Sequence, residues 1–493
     1  MIKSVKTAAV NIWGQFVGAV TWLDDQNYAV FEYDSKFLTS GLDISPIKMS
    51  IEDARRGNRI FMFPELGKTF SGLPGLLANA LPDKYGNDII DSWLLRNGRD
   101  PQSFNPVERL CYIGKRGMGA LEFQPQITPG NKFNKAVPVE VTELIQLAQD
   151  VLNARSKINV TVSESEKENS EAILDILRVG TSAGGARPKA IIAINEAGHV
   201  ISGQGKAPAG YEHWILKFDG VSQEHPDQFG QPMMEGRMEY AYYLMAKAAG
   251  VNMTESKLLE ENGRAHFLTK RFDRSHGEKI HMQSLCSLAH YDWNPVGSHG
   301  YEKIFAALRE LNLGMPDKNE QYRRMIFNIA VRNTDDHTKN VAFLMNPNGE
   351  WGLSPAYDLT FSYTPGGKKT GTHQMSINGK RESFTYDDLL SVARSAEISK
   401  PAEIIQEVFD AVSLWPEFAR KAGVEKKLIN QIAPLLITDR ALRGTKHIEL
   451  PDTVEINLRG RSVKLGIKNQ TEKRPSDKGK DIKNRGSRGG QGK

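Results

Sequence analysis

Apolar and aromatic positions follow two periods along this chain. Near the N-terminus, Thr7–Trp13, Val17–Leu23 and Tyr28–Tyr33 are apolar runs broken by Gly14-Gln15 and Asp24-Asp25. That pattern predicts a small antiparallel meander. Phe70-Ser-Gly-Leu-Pro-Gly75 and Leu81-Pro-Asp-Lys-Tyr-Gly86 are turn-rich, and Asn87–Arg96 reads as a helix. Thr128–Val137, rich in Pro, Gly, Asn and Lys, reads as a boundary. Val141–Ala154 has helical spacing, and Ser163–Asn169 is polar and expected to be exposed. Ile173–Val179 then leads through the glycine-rich Gly180–Lys189 into a strand at Ala190–Asn195. His213–Phe218 and His266–Phe272 read as further strands, and Met238–Gly250 as a helix with a glycine stop.

From Gln283 onward the period becomes helical. Tyr301–Leu311, Glu320–Val331, Tyr386–Glu397, Ala402–Val412 and Val424–Leu442 all carry it. Val454–Leu458 and Ser462–Ile467 predict a hairpin around Gly460. Beyond Lys468 there is too little apolar surface to offset the cost of ordering, so that tail is expected to be disordered. The order gives an α+β chain in four parts: a β-rich segment over 1–130, a β lobe with one helix over 135–280, a helical lobe over 281–450 and a basic tail over 468–493.

Composition narrows the class. A chain of 493 residues has room for about three domains. Its 39% hydrophobic and 25% charged content fits a soluble globular protein rather than a disordered one. The two cysteines, Cys111 and Cys286, are far apart and in no metal-like spacing, which argues against a disulfide framework or a zinc site. A reducing cytoplasm is the expected compartment. The N-terminus lacks the apolar core of a secretory signal, and no apolar run approaches the ~20 residues of a membrane span. The net charge is +5, and the tail from Lys468 carries nine Lys/Arg against three Asp/Glu, so the rest is close to neutral. Whole-chain charge therefore says little about nucleic-acid binding.

The chemistry concentrates in Asn333-Thr-Asp-Asp-His-Thr-Lys-Asn340, followed by Pro355-Ala-Tyr-Asp358. Phosphoryl transfer needs one Asp to orient or deprotonate the attacking hydroxyl, and an Asn and a second Asp to hold Mg²⁺ on the phosphates. Asp335 and Asn340 have the D-x-x-x-x-N spacing of a protein-kinase catalytic loop. That spacing selects Asp335 as the base and leaves Asp336 to shape the loop. The same residues would also suit a solvated turn. Asp358 could equally cap a helix; beside the Asp335/Asn340 pair a Mg²⁺ role is favoured, since Mg²⁺ takes hard oxygen ligands. Gly180, Gly184 and Gly185 let backbone N–H groups approach a phosphate, and Arg187 and Lys189 add positive charge, although a flexible surface loop has the same composition. Lys217 lies in an otherwise apolar strand, where it either points to solvent or pairs with an acid. Glu239 is the preferred partner, with Glu235 behind it. His266–Phe272 runs into Arg271-Phe-Asp-Arg274, a place where an adenine would meet backbone groups. His281, His290 and His299 lack ligand spacing and are read as structural or surface residues.

Taken in order, Phe70–Gly75, Leu81–Gly86, Ser182–Lys189, Trp214–Lys217, Arg271–Arg274, Asn333–Asn340 and Pro355–Asp358 resemble the HipA family of bacterial toxin kinases. The resemblance implies a Ser/Thr protein kinase of two-lobed, protein-kinase-like α+β fold that uses ATP and Mg²⁺. It implies that Gly184, Gly185, Ala186, Arg187, Pro188 and Lys189 cover the phosphates and that Lys217 holds them. Lys270, Arg271 and Phe272 would line the adenine. Asp335 would be the catalytic base, with His337, Thr338, Lys339, Asn340 and Tyr357 beside the nucleotide. Asn340 and Asp358 would bind Mg²⁺, and Ser182, next to Thr181, would be autophosphorylated. The implied partners are a helix-turn-helix antitoxin of the HipB type, operator DNA through that complex, and a protein substrate such as an aminoacyl-tRNA synthetase, whose modification arrests growth and favours persistence. The basic tail and the Arg187-Pro188 variant depart from the family pattern. Two other readings stay open at this point. One is a non-catalytic regulator that binds an antitoxin–DNA complex, motivated by the tail; the other is a kinase of a lipid or small molecule.

Overall fold

The computed structural model describes residues 4–125, 127, 187–221, 233–275 and 277–438. It also describes five helical positions among 141–148 and the backbone of 453–458 and 461–466. Thr128–Val137, Ser163–Asn169, Ile173–Val179, Gly180–Ala186, most of Val141–Ala154 and the tail from Lys468 lie outside the described residues.

The N-terminal meander forms where alternation predicts it: β1 (Thr7–Ile12), β2 (Gln15–Leu23) and β3 (Tyr28–Tyr33) pair antiparallel. Two shorter strands extend it, β4 (Ile60–Phe61) beside β3 and β5 (Leu121–Gln124) beside β1, giving the order β4-β3-β2-β1-β5. Alternate residues Val10, Ile12, Val20, Phe31 and Phe123 are fully buried beneath this sheet. Gly18 allows the close pairing of β2 and β3, because a Cβ there would sit 2.1 Å from the Glu32 carbonyl oxygen. Four helices follow within this region: α1 (Ile51–Arg55), α2 (Gly75–Ala78), α3 (Lys84–Arg96) and α4 (Pro106–Ile113). Helix α3 starts three residues before the expected Asn87. The Asp83 carboxylate accepts from the Gly86 amide at 2.7 Å, and this N-cap recruits Lys84–Gly86 into the first turn.

A second five-stranded antiparallel sheet comprises β6 (Lys189–Asn195), β7 (Val200–Ser202), β8 (Tyr211–Lys217), β9 (Ser256–Glu261) and β10 (Arg264–Lys270), in the order β7-β6-β8-β10-β9. The expected strand His266–Phe272 thus ends two residues early, at Lys270. Helix α5 (Glu235–Ala248) packs on β10 through Gly236, where a Cβ would lie 1.9 Å from the Ala265 carbonyl oxygen. On the opposite side, Ile89, Ile90 and Trp93 of α3 share one apolar core with Ala190, Ile192, Trp214 and Leu216. Two short strands, β11 (Arg274–Ser275) and β12 (Glu278–Lys279), form a two-residue ladder.

The region expected to be purely helical opens with a strand. β13 (His281–Ser284) pairs with β14 (Ala342–Met345), which pairs with β15 (Trp351–Leu353). Around this sheet lie α6 (Leu285–Ala289), α7 (Glu302–Glu310), α8 (Met315–Ala330), α9 (Tyr386–Ala396), α10 (Pro401–Ser413), α11 (Trp415–Lys421) and α12 (Lys426–Ile432). Their core includes Tyr242, Tyr322, Phe327, Phe409 and Trp415. Helix α8 begins five residues before the expected Glu320, with Pro316 in its first turn, where a missing N–H costs nothing. The expected helix Val424–Leu442 is corrected: α12 ends at Ile432, and Ala433–Leu435 forms a 3₁₀ turn around Pro434, which cannot donate to a continuing helix. The expected hairpin is present as β16 (Thr453–Leu458) paired with β17 (Arg461–Gly466). Among the described residues no helix is long and apolar enough to cross a membrane.

Candidate active site

The loop between α8 and β14 is held rigid by its own side chains. Arg332 takes a left-handed conformation (φ 57°), which ends the helical path after α8. Asn333 donates to Asn328 Oδ1 at 2.9 Å and accepts from the Ser362 hydroxyl at 3.2 Å. Ser362 Oγ accepts in turn from the Asp335 amide at 2.9 Å. Asp336 is buried and accepts three hydrogen bonds, each 2.8 Å long, from the Tyr301 hydroxyl, His373 Nδ1 and the Gln374 amide. Adjacent Asp335 is the opposite case. Its side chain is 48% exposed, and its carboxylate accepts from Gln374 Nε2. A buried, fully partnered carboxylate is scaffold, whereas a half-exposed one keeps acceptor capacity for an incoming hydroxyl.

Asn340 donates through Nδ2 to the Asp335 carbonyl at 2.9 Å, which leaves its amide oxygen as the free acceptor end. His337 lies with Nε2 3.9 Å from Asp335 Oδ1 and packs its ring 4.8 Å from that of Trp293. Burial lowers its pKa, against the pull of Asp335 and Asp358. Thr338 donates to the Tyr291 carbonyl at 2.8 Å, so its side chain anchors the loop. Lys339 and Lys369 place their ammonium groups 5.6 and 5.0 Å from the centre of the Trp293 ring.

Asp358 is tied to this loop from both sides. The Tyr357 hydroxyl donates to the Lys339 carbonyl at 2.6 Å, and Asn333 Nδ2 reaches the Asp358 carbonyl at 3.5 Å. Asp358 itself has φ 53°, a left-handed conformation that costs of order 1–3 kcal/mol for a non-glycine residue. No helix begins there, so the capping alternative is excluded. Its carboxylate instead accepts from Lys217 Nζ, and Lys217 also pairs with Glu239 of α5, the partner preferred from sequence. Burial alone would lower the Lys217 pKa, but Asp358 and Glu239 outweigh it and hold the ammonium charged. Burial likewise pushes against ionisation of Asp358, yet Lys217, Lys189 and His337 keep it below the usual carboxylate range.

The remaining predicted residues divide. Lys189 is buried and pairs with Asp83 at 3.0 Å, and Arg187 pairs with Glu235 at 3.3 Å. Pro188 precedes β6, its carbonyl accepting from the Phe218 amide at 3.3 Å. Arg271 has its side chain fully buried and bidentate on Asp273, at 2.8 and 2.7 Å, and its amide donates to the His213 carbonyl at 2.9 Å, so of its polar backbone the carbonyl is what remains for a ligand. The Lys270 side chain pairs with Glu212. Phe272 packs its ring 5.7 Å from that of Tyr357, which joins the end of β10 to the Asp358 segment. Ser182, Gly184, Gly185 and Ala186 lie outside the described residues. Sequence reasoning missed Asp83, Ser362, His373, Gln374 and Trp293. Asp83 stood in a quoted motif but was read as a turn residue, and the others carry no local pattern.

Among the described residues no cluster of three or more His, Cys, Asp or Glu side chains could hold a metal alone. Asp358 and the Asn340 amide oxygen supply two hard donors, which fits a Mg²⁺ that takes its other ligands from nucleotide phosphates and water.

Strands and helices in this arrangement define a mixed α+β, two-lobed, kinase-like fold. The model of the HipA N-terminal domain matches residues 8–124, and that of the HipA-like C-terminal domain matches residues 181–415. The chain belongs to the HipA family. It is 26% identical over 205 residues to the candidate kinase Y4dM of Sinorhizobium fredii (strain NBRC 101917 / NGR234), a match over 38% of this chain and 47% of Y4dM, so it spans about half of that relative. Among solved structures it is similar to a chain of the toxin–antitoxin system HipA, HipB and operator DNA complex of Shewanella oneidensis MR-1. That match has a TM-score of 0.57 and 16% identity, over 84% of this chain and 90% of that one. At this identity the likeness is one of fold.

Proposed function

We propose that this chain is an ATP-dependent Ser/Thr protein kinase of the HipA type, acting on a protein hydroxyl. One observation carries the reading. Lys217, Glu239 and Asp358 meet in a partly buried ion cluster, and two side-chain-to-backbone hydrogen bonds hold that cluster against the loop bearing Asp335 and Asn340. Asp335, half-exposed and braced by Gln374, orients an acceptor hydroxyl and takes its proton. Lys217, kept charged by two acids, binds phosphate oxygens. Asp358 and the Asn340 oxygen hold Mg²⁺, which when bound on ATP neutralises charge on the transferring phosphoryl group. The backbone at Arg271–Phe272 receives the adenine, beside Tyr357. Ser182 is the proposed autophosphorylation site, a helix-turn-helix antitoxin of the HipB type the proposed partner, with operator DNA reached through it, and growth arrest the proposed outcome.

The test is transfer of γ-labelled phosphate from ATP by the full chain. Asp335→Gln is expected to cut transfer by about 10²–10⁴-fold while leaving the melting temperature close to that of the parent. Undiminished labelling would remove Asp335 from its role and with it the kinase reading of this loop.

A further inference from the structure

In the register of β6 and β8, Lys189 stands directly opposite Lys217. Residues directly opposite in an antiparallel pair share a face, and like charges there repel. Both side chains are largely withdrawn from water, at 3% and 16% exposure. Each ammonium therefore needs an acid from outside the sheet. Lys217 takes Glu239 and Asp358. Lys189 takes Asp83, which is itself 5% exposed and lies 106 residues upstream.

The Asp83 carboxylate is doubly committed. Oδ1 caps α3 at the Gly86 amide, 2.7 Å away, while Oδ2 meets Lys189 Nζ at 3.0 Å. Helix α3 cannot drift, because Ile89, Ile90 and Trp93 are locked into the core beneath β6 and β8. The pair also sits within the field of the catalytic groups. Lys189 follows Lys217 among the cations that depress the Asp358 pKa, and burial raises the Asp83 pKa against the pull of Lys189 and Lys339. So a residue inside the N-terminal domain match fixes a cation inside the C-terminal one.

We infer that Asp83 is a positioning residue of the nucleotide site: acting through Lys189, it fixes the ammonium opposite Lys217 and makes the N-terminal region part of the phosphate-binding machinery. The inference rests on the kinase reading above. Without the Asp83 charge, Lys189 is drawn toward Asp358, where it competes with Lys217 and leaves the place from which it meets a phosphate.

Asn caps helices about as well as Asp, so Asp83→Asn removes the charge and keeps α3 capped. ATP is titrated calorimetrically into the full chain, with Mg²⁺ and again in EDTA. Asp83→Asn is expected to weaken ATP binding about tenfold in the parent, and by no more than about twofold in a Lys189→Met background. Equal weakening in both backgrounds would mean that Asp83 acts on the fold rather than through Lys189, and unchanged or tighter binding in the parent would equally overturn the inference. Lys217→Met separates the two readings. If ATP binds the parent and Lys217→Met abolishes it while Asp83→Asn does nothing, only this inference falls; if the parent takes up no ATP, both fall. Should Asp83→Asn not fold, Asp83→Glu, which displaces the charge by one methylene, carries the same expectation.

Discussion

The two five-stranded sheets have the same strand count and the same antiparallel pairing, yet only one of them carries cations on a shared buried face. The first sheet alternates cleanly: Val10, Val20 and Phe31 point into its core, while Thr7 and Glu32 face water. The second is covered on both sides, by α3 and by α5, and β6 is buried along almost its whole length. Polar groups on its covered stretches have little water to face. Lys189, Lys217, His213 and His266 are held there only because acids or backbone groups elsewhere meet them. A one-sided sheet can be stable through apolar burial alone, whereas the charges of a two-sided sheet depend on elements far away in sequence. Charge that a fold retains at such cost marks where chemistry is expected.

The sharpest way to separate the two sheets is to damage each in its own currency. Phe123→Ala removes a fully buried ring from the first sheet. It is expected to cost about 3–5 kcal/mol of stability, read by denaturant unfolding, while ATP affinity of the folded protein stays within about twofold of the parent. Lys217→Met strikes the second sheet. It is expected to lower phosphate transfer by roughly 10²–10³-fold, and also to lower the melting temperature, because Glu239 and Asp358 are left as crowded, unpaired acids. If Phe123→Ala abolished ATP binding in folded protein, or Lys217→Met left transfer intact, the division of labour between the sheets would be wrong.

The same contrast explains what could be read from the chain directly. The meander β1–β3 was visible because a half-wet sheet writes its alternation into the sequence. Asp335, Asn340 and Asp358 were visible because their spacing is local, and Glu239 could be nominated because a lone lysine in an apolar strand needs an acid. β4, with two residues, is too short to carry a period. The β13–β14–β15 sheet was hidden because its first two strands lie some 60 residues apart with helices between them. Asp83 was hidden for a related reason. Its motif reads as a turn, and its use as counter-ion to Lys189 exists only after α3 docks on the second sheet. Helix starts moved by three and five residues where Asp83 and Pro316, rather than the apolar stripe, set the first turn.

A smaller effect, in pH, follows from the same difference. The first sheet contains no buried histidine among its described strand residues, whereas the second contains His213 and His266. His266 is fully buried, its Nδ1 accepting from the Asp219 amide at 2.9 Å, and burial pushes its pKa down to about 4 from an ordinary 6.5. Glu261, 3.7 Å from Nε2, pulls the other way without prevailing. Between these two values the unfolded chain takes up a proton that the folded chain refuses, so protons favour unfolding. The stabilisation from a neutral His266 is complete above pH 6.5 and is lost as pH falls toward 4, at about 1.4 kcal/mol per pH unit. Burial pushes the neighbouring Asp219 carboxyl up to about 6, which works with the opposite sign, because the folded state then binds the proton first. The measurement is therefore the difference between parent and His266→Asn in unfolding free energy across pH 6.5 to 4, and not the parent slope alone. The variant is expected to be less stable at neutral pH, and its deficit relative to the parent to shrink as pH falls from 6.5 toward 4. Parallel profiles would mean that His266 takes up a proton as readily in the folded protein as in the unfolded chain, with Glu261 offsetting its burial.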